Sequence, residues 1–343
     1  DGRSVCMDEP SLRSLLLAPR STGQGTGAHA GARQVRQCNS SHSDRPLLSA
    51  IVQTFRDGTN ARQIVRRLRS AAGDEALEVL VNDDSRSEAA AWLAVLTGPN
   101  DFLVSSPNVH EIRAYNRLAR MARGEYLLLL QGDHCLPQGR EWLQTGLGLF
   151  ATFPRLALLG GQMGFDEVPL RKRAERVSWG VPPCRPIPTR VPRNGMAHRD
   201  AVGAGFMFVA GVNIGPLLVR RSAFLLAGGF DEGFSCAGEP GIQLDTDLSL
   251  RLWQAGHQVG LYTSAVSNGV GGRKTRKNAE QKRLRRINDA INGARCARQL
   301  RRHDAAAVTA ANAELEAAPD ADSLRSDELR VRGHRPPGTC GEE

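Results

Sequence analysis

The chain alternates short, nearly continuous apolar runs with segments whose apolar residues recur at helical spacing. Leu47 to Phe55 reads as a buried strand, and Asn60 to Ser70 sets Ala61, Ile64, Val65 and Leu68 on one helical face. Leu77 to Val81 is a second strand that stops at Asn82-Asp83-Asp84, followed by a helical pattern through Ala90, Leu93, Ala94 and Leu96. Phe102-Leu103-Val104 predicts a third strand, His110 to Arg123 a polar, Arg-rich helix, and Tyr126-Leu127-Leu128-Leu129-Leu130 a strand buried on both faces. Arg140 to Phe150 predicts a helix and Leu156 to Leu159 a strand. The second half is more mixed. Residues 180–200, rich in Pro and Arg, predict an irregular loop, Phe206 to Val212 and Leu217 to Arg220 read as strands, and Asp245 to Ala255 carries Leu248, Leu252 and Trp253 at helical spacing. After Gly272 the pattern is basic and helical to about Arg302.

Strands alternating with helices at this spacing predict an α/β fold: a mostly parallel sheet with helices on both faces. The sustained apolar patterning begins near Pro46, so residues 1–45 are expected to be a disordered or stem-like leader. Residues 46–272 are then expected to form the α/β domain, and 273–343 a basic helical extension with a mobile tail.

Composition changes this picture in three places. Hydrophobic residues make up 41% of the 343 and aromatics only 5%, so the core must be mainly aliphatic. No apolar run approaches the roughly 20 residues of a membrane helix. Membrane association is therefore expected only through a segment missing from this chain, which starts at Asp1. The formal charge is +9, concentrated in Arg273, Lys274, Arg276, Lys277, Lys282, Arg283, Arg285 and Arg286. Such a block suits nucleic acid, acidic lipid, an anionic small substrate or simply a solvated helix face. No aromatic interleaving and no nucleic-acid module accompany it, so nucleic acid is not expected as a partner. The seven cysteines are scattered without zinc spacing, and their odd number leaves at least one free. Asn39-Ser40-Ser41 is an N-glycosylation triplet, a weak pointer to a secretory lumen.

Three acidic clusters carry the candidate chemistry. Asp83 and Asp84 follow an apolar strand and precede a helix, where carboxylates either accept hydrogen bonds from a nucleoside or cap the helix. Asp133, in Gln131-Gly132-Asp133-His134, lies just past the Tyr126–Leu130 strand, where a hard divalent cation could bridge a carboxylate and a diphosphate; His134 is a further possible ligand. Asp245 and Asp247 open a helix, where one could serve as general base and the other as cap.

In this order the three clusters resemble a family. Val81-Asn82-Asp83-Asp84-Ser85, the passage Asn116, Ala122, Gly124, Glu125, Tyr126, the turn Gln131-Gly132-Asp133, Gly228-Gly229-Phe230-Asp231-Glu232, and Asp245-Thr246-Asp247-Leu248 with Arg251 and Gly256 are similar to motifs of family 2 glycosyltransferases of the GT-A fold. The resemblance spans about Pro46 to Gly272. It implies an inverting, hexosyltransferase-type enzyme acting on a UDP- or GDP-sugar donor and a hydroxyl of a glycan, lipid or protein; for the compartment, a Golgi-type or secretory lumen is favoured, with the cytoplasm as the alternative. It further implies Asp83 or Asp84 at the nucleoside, Asp133 on Mn2+ or Mg2+, Asp245 as catalytic base, Asp247 supporting the base loop and Asp231 on the acceptor side. Gln131 and Leu244 depart from the acidic residues of the family pattern, and 262–272 holds no His where such enzymes often place another metal ligand. Two expectations answer this thin metal site. The glycine-rich Gly269-Val270-Gly271-Gly272 would let Arg273 and Lys274 close on the diphosphate. Alternatively, the chain is a catalytically silent nucleotide- or glycan-binding protein of the same fold.

Overall fold

A computed structural model describes residues 45–73, 76–161, 163–165, 177–178, 206–262, 264, 266–268, 279–300 and 305–317. Its strands are β1 (Leu48–Thr54), β2 (Leu77–Asp83), β3 (Phe102–Ser105), β4 (Tyr126–Gln131), β5 (His134–Cys135), β6 (Leu156–Gly160), β7 (Met163–Phe165), β8 (Val177–Ser178), β9 (Phe206–Phe208), β10 (Gly211–Val212), β11 (Leu217–Arg220), β12 (Gln258–Tyr262) and β13 (Ser267–Asn268). The helices are α1 (Ala61–Ala72), α2 (Ala89–Leu93), α3 (His110–Met121), α4 (Glu141–Thr152), α5 (Arg221–Leu226), α6 (Leu244–Gln254), α7 (Ala279–Leu300) and α8 (Ala305–Ala317).

The main sheet has eight strands in the order β3-β2-β1-β4-β11-β6-β12-β9. β3, β2, β1 and β4 run parallel, as do β6 and β12, whereas β11 is antiparallel to both β4 and β6, and β9 to β12. The predicted α/β class is therefore the observed one. Strand side chains alternate between faces, and this alternation builds two cores. Ile51, Leu127 and Leu129 pack with Tyr115 and Leu118 of α3, Phe224 of α5, Leu248 and Leu252 of α6, and Cys296 of α7. Ala50, Val52, Leu128 and Leu130 face the other way, onto Ile64 and Leu68 of α1, Trp92 of α2, Trp142 and Phe150 of α4, and Leu315 of α8.

One sequence expectation is corrected here. The helix after β2 is a short one, and it buries Trp92 while Ala90, Leu93 and Ala94 are exposed. Trp92 is the fully buried residue here, and of the residues expected on the buried face Leu96 packs beside it, partly buried, together with Val95.

Polar contacts fix the sheet at its amino end and its edge. Gly124 approaches β1 so closely that a Cβ would stand 2.5 Å from Ser49 Oγ, and its N–H donates to that oxygen at 2.8 Å. Asn312 of α8 pairs with Phe208 of β9, donating to its carbonyl and accepting its N–H, each at 2.9 Å. This pairing covers an edge strand whose backbone would otherwise be open to another chain.

Candidate active site at the carboxyl edge of the sheet

Because β1, β2 and β4 are parallel, their carboxyl ends meet at one edge. Thr54 lies opposite Asp83, and Gln53 lies opposite both Asn82 and Gln131. β11 runs the other way, with Leu217 opposite Leu129, so residues 214–216 arrive at that same edge. An open edge of this kind is where α/β sheets bind ligands.

The Gln131–His134 turn is pinned from β1. Gly132 N–H donates to the Gln53 carbonyl at 2.9 Å, and the Asn60 amide donates to the carbonyls of Gly132 at 3.2 Å and His134 at 2.8 Å. A Cβ on Gly132 would sit 2.6 Å from Thr54 Oγ1, so the turn is packed tightly against the end of β1. Asp133 is half-buried on this turn. Its charge reaches the buried Tyr115, whose phenol donates to the Leu130 carbonyl at 2.8 Å; burial first, and Asp133 second, push that phenol well above its ordinary pKa.

His134 is buried beneath the turn. Its Nδ1 accepts the Gln131 N–H at 3.2 Å, which assigns the remaining proton to Nε2. Nε2 faces Gly215, where a Cβ would lie 2.7 Å away. In this tautomer the Nε2 proton faces Gly215 without a hydrogen-bond partner among the described residues, and the ring does not present a lone pair to a metal. Burial pushes its pKa down to about 3, consistent with a neutral ring.

Asp245 reaches the same place from α6. Its Oδ2 accepts the Ile214 N–H at 2.7 Å and its Oδ1 the Thr246 N–H at 2.9 Å. Ile214 and Gly215 therefore link the Asp245 carboxylate to the His134 side of the Asp133 turn. The link follows from β11: only an antiparallel strand beside β4 brings its entry segment to this edge.

Asp83 and Asp84 lie at the same edge, on the β2 side, and both are buried and committed to protein donors. Asp83 accepts Ser85 N–H, Ser85 Oγ–H and Glu88 N–H at 3.0, 2.7 and 3.0 Å. Asp84 accepts Ser106 Oγ–H at 2.6 Å, Val109 N–H at 2.6 Å, His110 N–H at 2.8 Å and the Gln53 amide at 3.3 Å. These bonds fix the loop before α2 and the entry to α3, which gives the capping role more structural content than a nucleoside contact.

Asp247 points away from the edge. Its Oδ2 pairs with Arg251 at 2.7 Å, its Oδ1 accepts the Gln299 amide at 2.6 Å, and Arg251 in turn holds the carbonyls of Ala227 and Gly229. Asp231 is exposed and caps the short turn Glu232–Phe234 by accepting Gly233 N–H at 2.8 Å. It borders a groove of about 400 Å3 together with Phe234, Arg295, Arg298 and Gln299. Arg273 and Lys274, with the glycines before them, lie outside the described residues.

Sequence reasoning therefore missed Gln53, Asn60, Tyr115 and the Ile214–Gly215 segment. Asn60 marks only the start of a helical stretch in sequence, but its side chain caps nothing in α1 and crosses to the Asp133 turn. Ile214 acts through its backbone N–H, which no residue pattern marks. For a cation, the described residues contain no cluster of three His, Cys, Asp or Glu side chains. With Gln131 an amide and His134 Nδ1 engaged by the Gln131 N–H, Asp133 is the carboxylate of this turn. That donor set fits a hard cation shared with a substrate's phosphates better than one held by protein alone.

No family model matches the chain. It is 30% identical over 102 residues to an uncharacterized protein of Mycobacterium tuberculosis, a stretch that is 29% of this chain and 31% of that protein. Among solved structures it is similar to a mannosyltransferase from Pyrobaculum calidifontis in complex with GDP-Man and Mn2+ (16% identity, 64% of this chain and 57% of that one, TM-score 0.43). It is also similar to GalNAc-T7 with UDP, GalNAc and Mn2+ (12% identity, 66% and 44% covered, TM-score 0.45). A further likeness is to S. aureus TarS 1-349 in complex with UDP-GlcNAc (13% identity, 63% and 56% covered, TM-score 0.43). Each alignment covers less than two thirds of the other protein, and scores of this size leave the chemistry of this chain to be argued from its own residues.

Proposed function

We propose that this protein is an inverting glycosyltransferase that moves a sugar from a nucleoside-diphosphate donor to a hydroxyl acceptor. The observation that carries the reading is the Asp245–Ile214 hydrogen bond, with Gly215 against His134, which sets a carboxylate from α6 beside the Asp133 turn at the carboxyl edge of the sheet. In this reading Asp245 is the general base. The acceptor oxygen attacks the anomeric carbon while Asp245 takes its proton; the bond from that carbon to the diphosphate oxygen breaks, and the electron pair leaves with the diphosphate. Both Asp245 oxygens already accept backbone N–H groups, which orient the carboxylate before substrate arrives.

Asp133 would hold a divalent cation together with the donor's phosphates, and that cation would neutralise the departing charge. Asp83 and Asp84 act indirectly, by fixing the backbone that forms the nucleoside side of the cleft. Asp247 keeps α6 and the turn before Asp231 in place, and Asp231 lies on the acceptor side. Arg273 and Lys274 assist the diphosphate; their support is the sequence alone.

The test is release of nucleoside diphosphate from a panel of UDP- and GDP-sugars with hydroxyl acceptors. Asp245→Asn should lower turnover by about 10²–10⁴-fold. Equal turnover by the variant would remove Asp245 from the chemistry. A second reading, a silent binding protein, is motivated by Gln131 in place of an acid. Nucleotide binding without any donor breakdown, with or without Mn2+, would favour it.

A further inference from the structure

Helix α7 is built inside out for a surface helix. The side it turns inward is polar apart from Cys296. Asn292 donates to the carbonyls of Phe234 and Ile242 at 2.7 and 2.9 Å, Asn288 donates to that of Pro240 at 3.0 Å, and Gln299 donates to Asp247. Its outward side carries Ile287 and Ile291, one turn apart and 39% and 51% exposed, continued by the exposed Ala290 and Ala294. A soluble surface helix shows the reverse arrangement. Cations surround this apolar strip. Lys282, Arg283, Arg285 and Arg286 are exposed at its amino end and Arg298 at its carboxyl end. The acids on the helix, Glu280 and Asp289, are occupied by Arg283 at 2.8 Å and Gln243 at 3.2 Å.

We propose that the outer face of α7 docks on a bilayer surface containing anionic phospholipid. The cations would meet lipid phosphates and the isoleucines would enter the boundary between headgroups and acyl chains. Among the described residues no helix is long and apolar enough to cross a membrane, so the contact lies in the plane of the interface. Charge and shape together favour this partner. A nucleic acid would satisfy the cations and leave Ile287 and Ile291 in water. A second copy meeting face to face would bring two net-cationic faces together.

Sedimentation of the full chain with vesicles tests the idea. Vesicles of phosphatidylcholine mixed with phosphatidylglycerol should bind it, vesicles of phosphatidylcholine alone should bind it far more weakly, and added salt should reduce the difference. Removing two cations in Lys282→Gln/Arg286→Gln should weaken binding by about 25-fold, roughly fivefold for each. Ile287→Ser/Ile291→Ser should weaken it by roughly tenfold. Leu226→Ser, at an exposed position on α5, should change nothing. Equal binding to both vesicle types by the unaltered chain would overturn the proposal. So would isoleucine variants that bind like the parent, or complete displacement from vesicles by duplex DNA at equal phosphate.

Discussion

The Asp245 carboxylate accepts the backbone N–H of Ile214 at 2.7 Å, and the next residue, Gly215, lies against the buried ring of His134. This contact joins the first turn of α6 to the turn at the end of β4. It depends on a glycine: Gly215 has φ +123°, and a Cβ there would stand 2.7 Å from His134 Nε2. Gly215→Ala should cost about 1–3 kcal/mol for the backbone conformation alone, read in a urea titration. Because the strain falls on the residue beside Ile214, donor turnover should drop as well. An alanine variant of unchanged stability and turnover would show that this segment does not position Asp245.

Asp84 tests the structural reading of the first acidic cluster. Replacing it with Ala strands the N–H groups of Val109 and His110 at the entry to α3. The expected cost is about 3 kcal/mol, since a buried donor left without a partner loses its full desolvation penalty. If instead Asp84→Ala unfolds at the same urea concentration and only nucleotide affinity falls, the carboxylate contacts the nucleoside directly.

Much of this was legible in the sequence because the parallel strands are nearly continuous apolar runs, interrupted by single polar residues such as Ser49 and Glu78. Leu77–Val81 and Tyr126–Leu130 fall inside β2 and β4, and Asp83 and Asp133 follow at their carboxyl ends, as their spacing predicts. The helix of α6 was equally clear, its Leu248 and Leu252 lying in the core. What local pattern does not carry is strand order. Nothing in Leu217–Arg220 announces an antiparallel strand between β4 and β6, and the Ile214–Asp245 bond exists only because of that placement. Nor does residue type distinguish a carboxylate that awaits a ligand from one saturated by its own loop, as Asp84 is. Trp92 illustrates the same limit, since side-chain volume outweighed helical spacing in deciding which face of α2 is buried.

Asp247 should matter for stability more than for proton transfer. It pairs with Arg251 and accepts from Gln299, so Asp247→Ala leaves a partly buried guanidinium unpaired while removing the tie between α6 and α7. Loss of the carboxylate from this partly buried pair should cost about 1–3 kcal/mol. Thermal denaturation of this variant should show a large drop in Tm; a Tm equal to that of the parent would contradict the arrangement.

Cys296 gives a chemical check on how α7 is seated. Its thiol is free and buried, and burial, with Asp247 and Asp245 nearby, pushes its pKa up to about 12 from 9.0. The folded state therefore keeps its proton at pH values where the unfolded state loses it. Stability from this group is fully present below pH 9 and is lost as pH rises from 9 toward 12. At pH 8 iodoacetamide should leave Cys296 unmodified in the native protein and alkylate it in urea, as read by peptide mass spectrometry. Rapid native alkylation would mean that α7 is not packed on α6 as described.

The central claim is that Asp133 and Asp245 serve one cleft, the first on the donor's phosphates and the second on the acceptor's proton. Calorimetric titration of a nucleoside diphosphate in the presence of Mn2+ separates them most directly. Asp245→Asn should bind the nucleotide as the unaltered protein does, and Asp133→Asn should bind it at least about tenfold more weakly, the loss of one charge-assisted contact. Unchanged nucleotide affinity in Asp133→Asn, or no measurable nucleotide binding by the unaltered protein, would contradict the account.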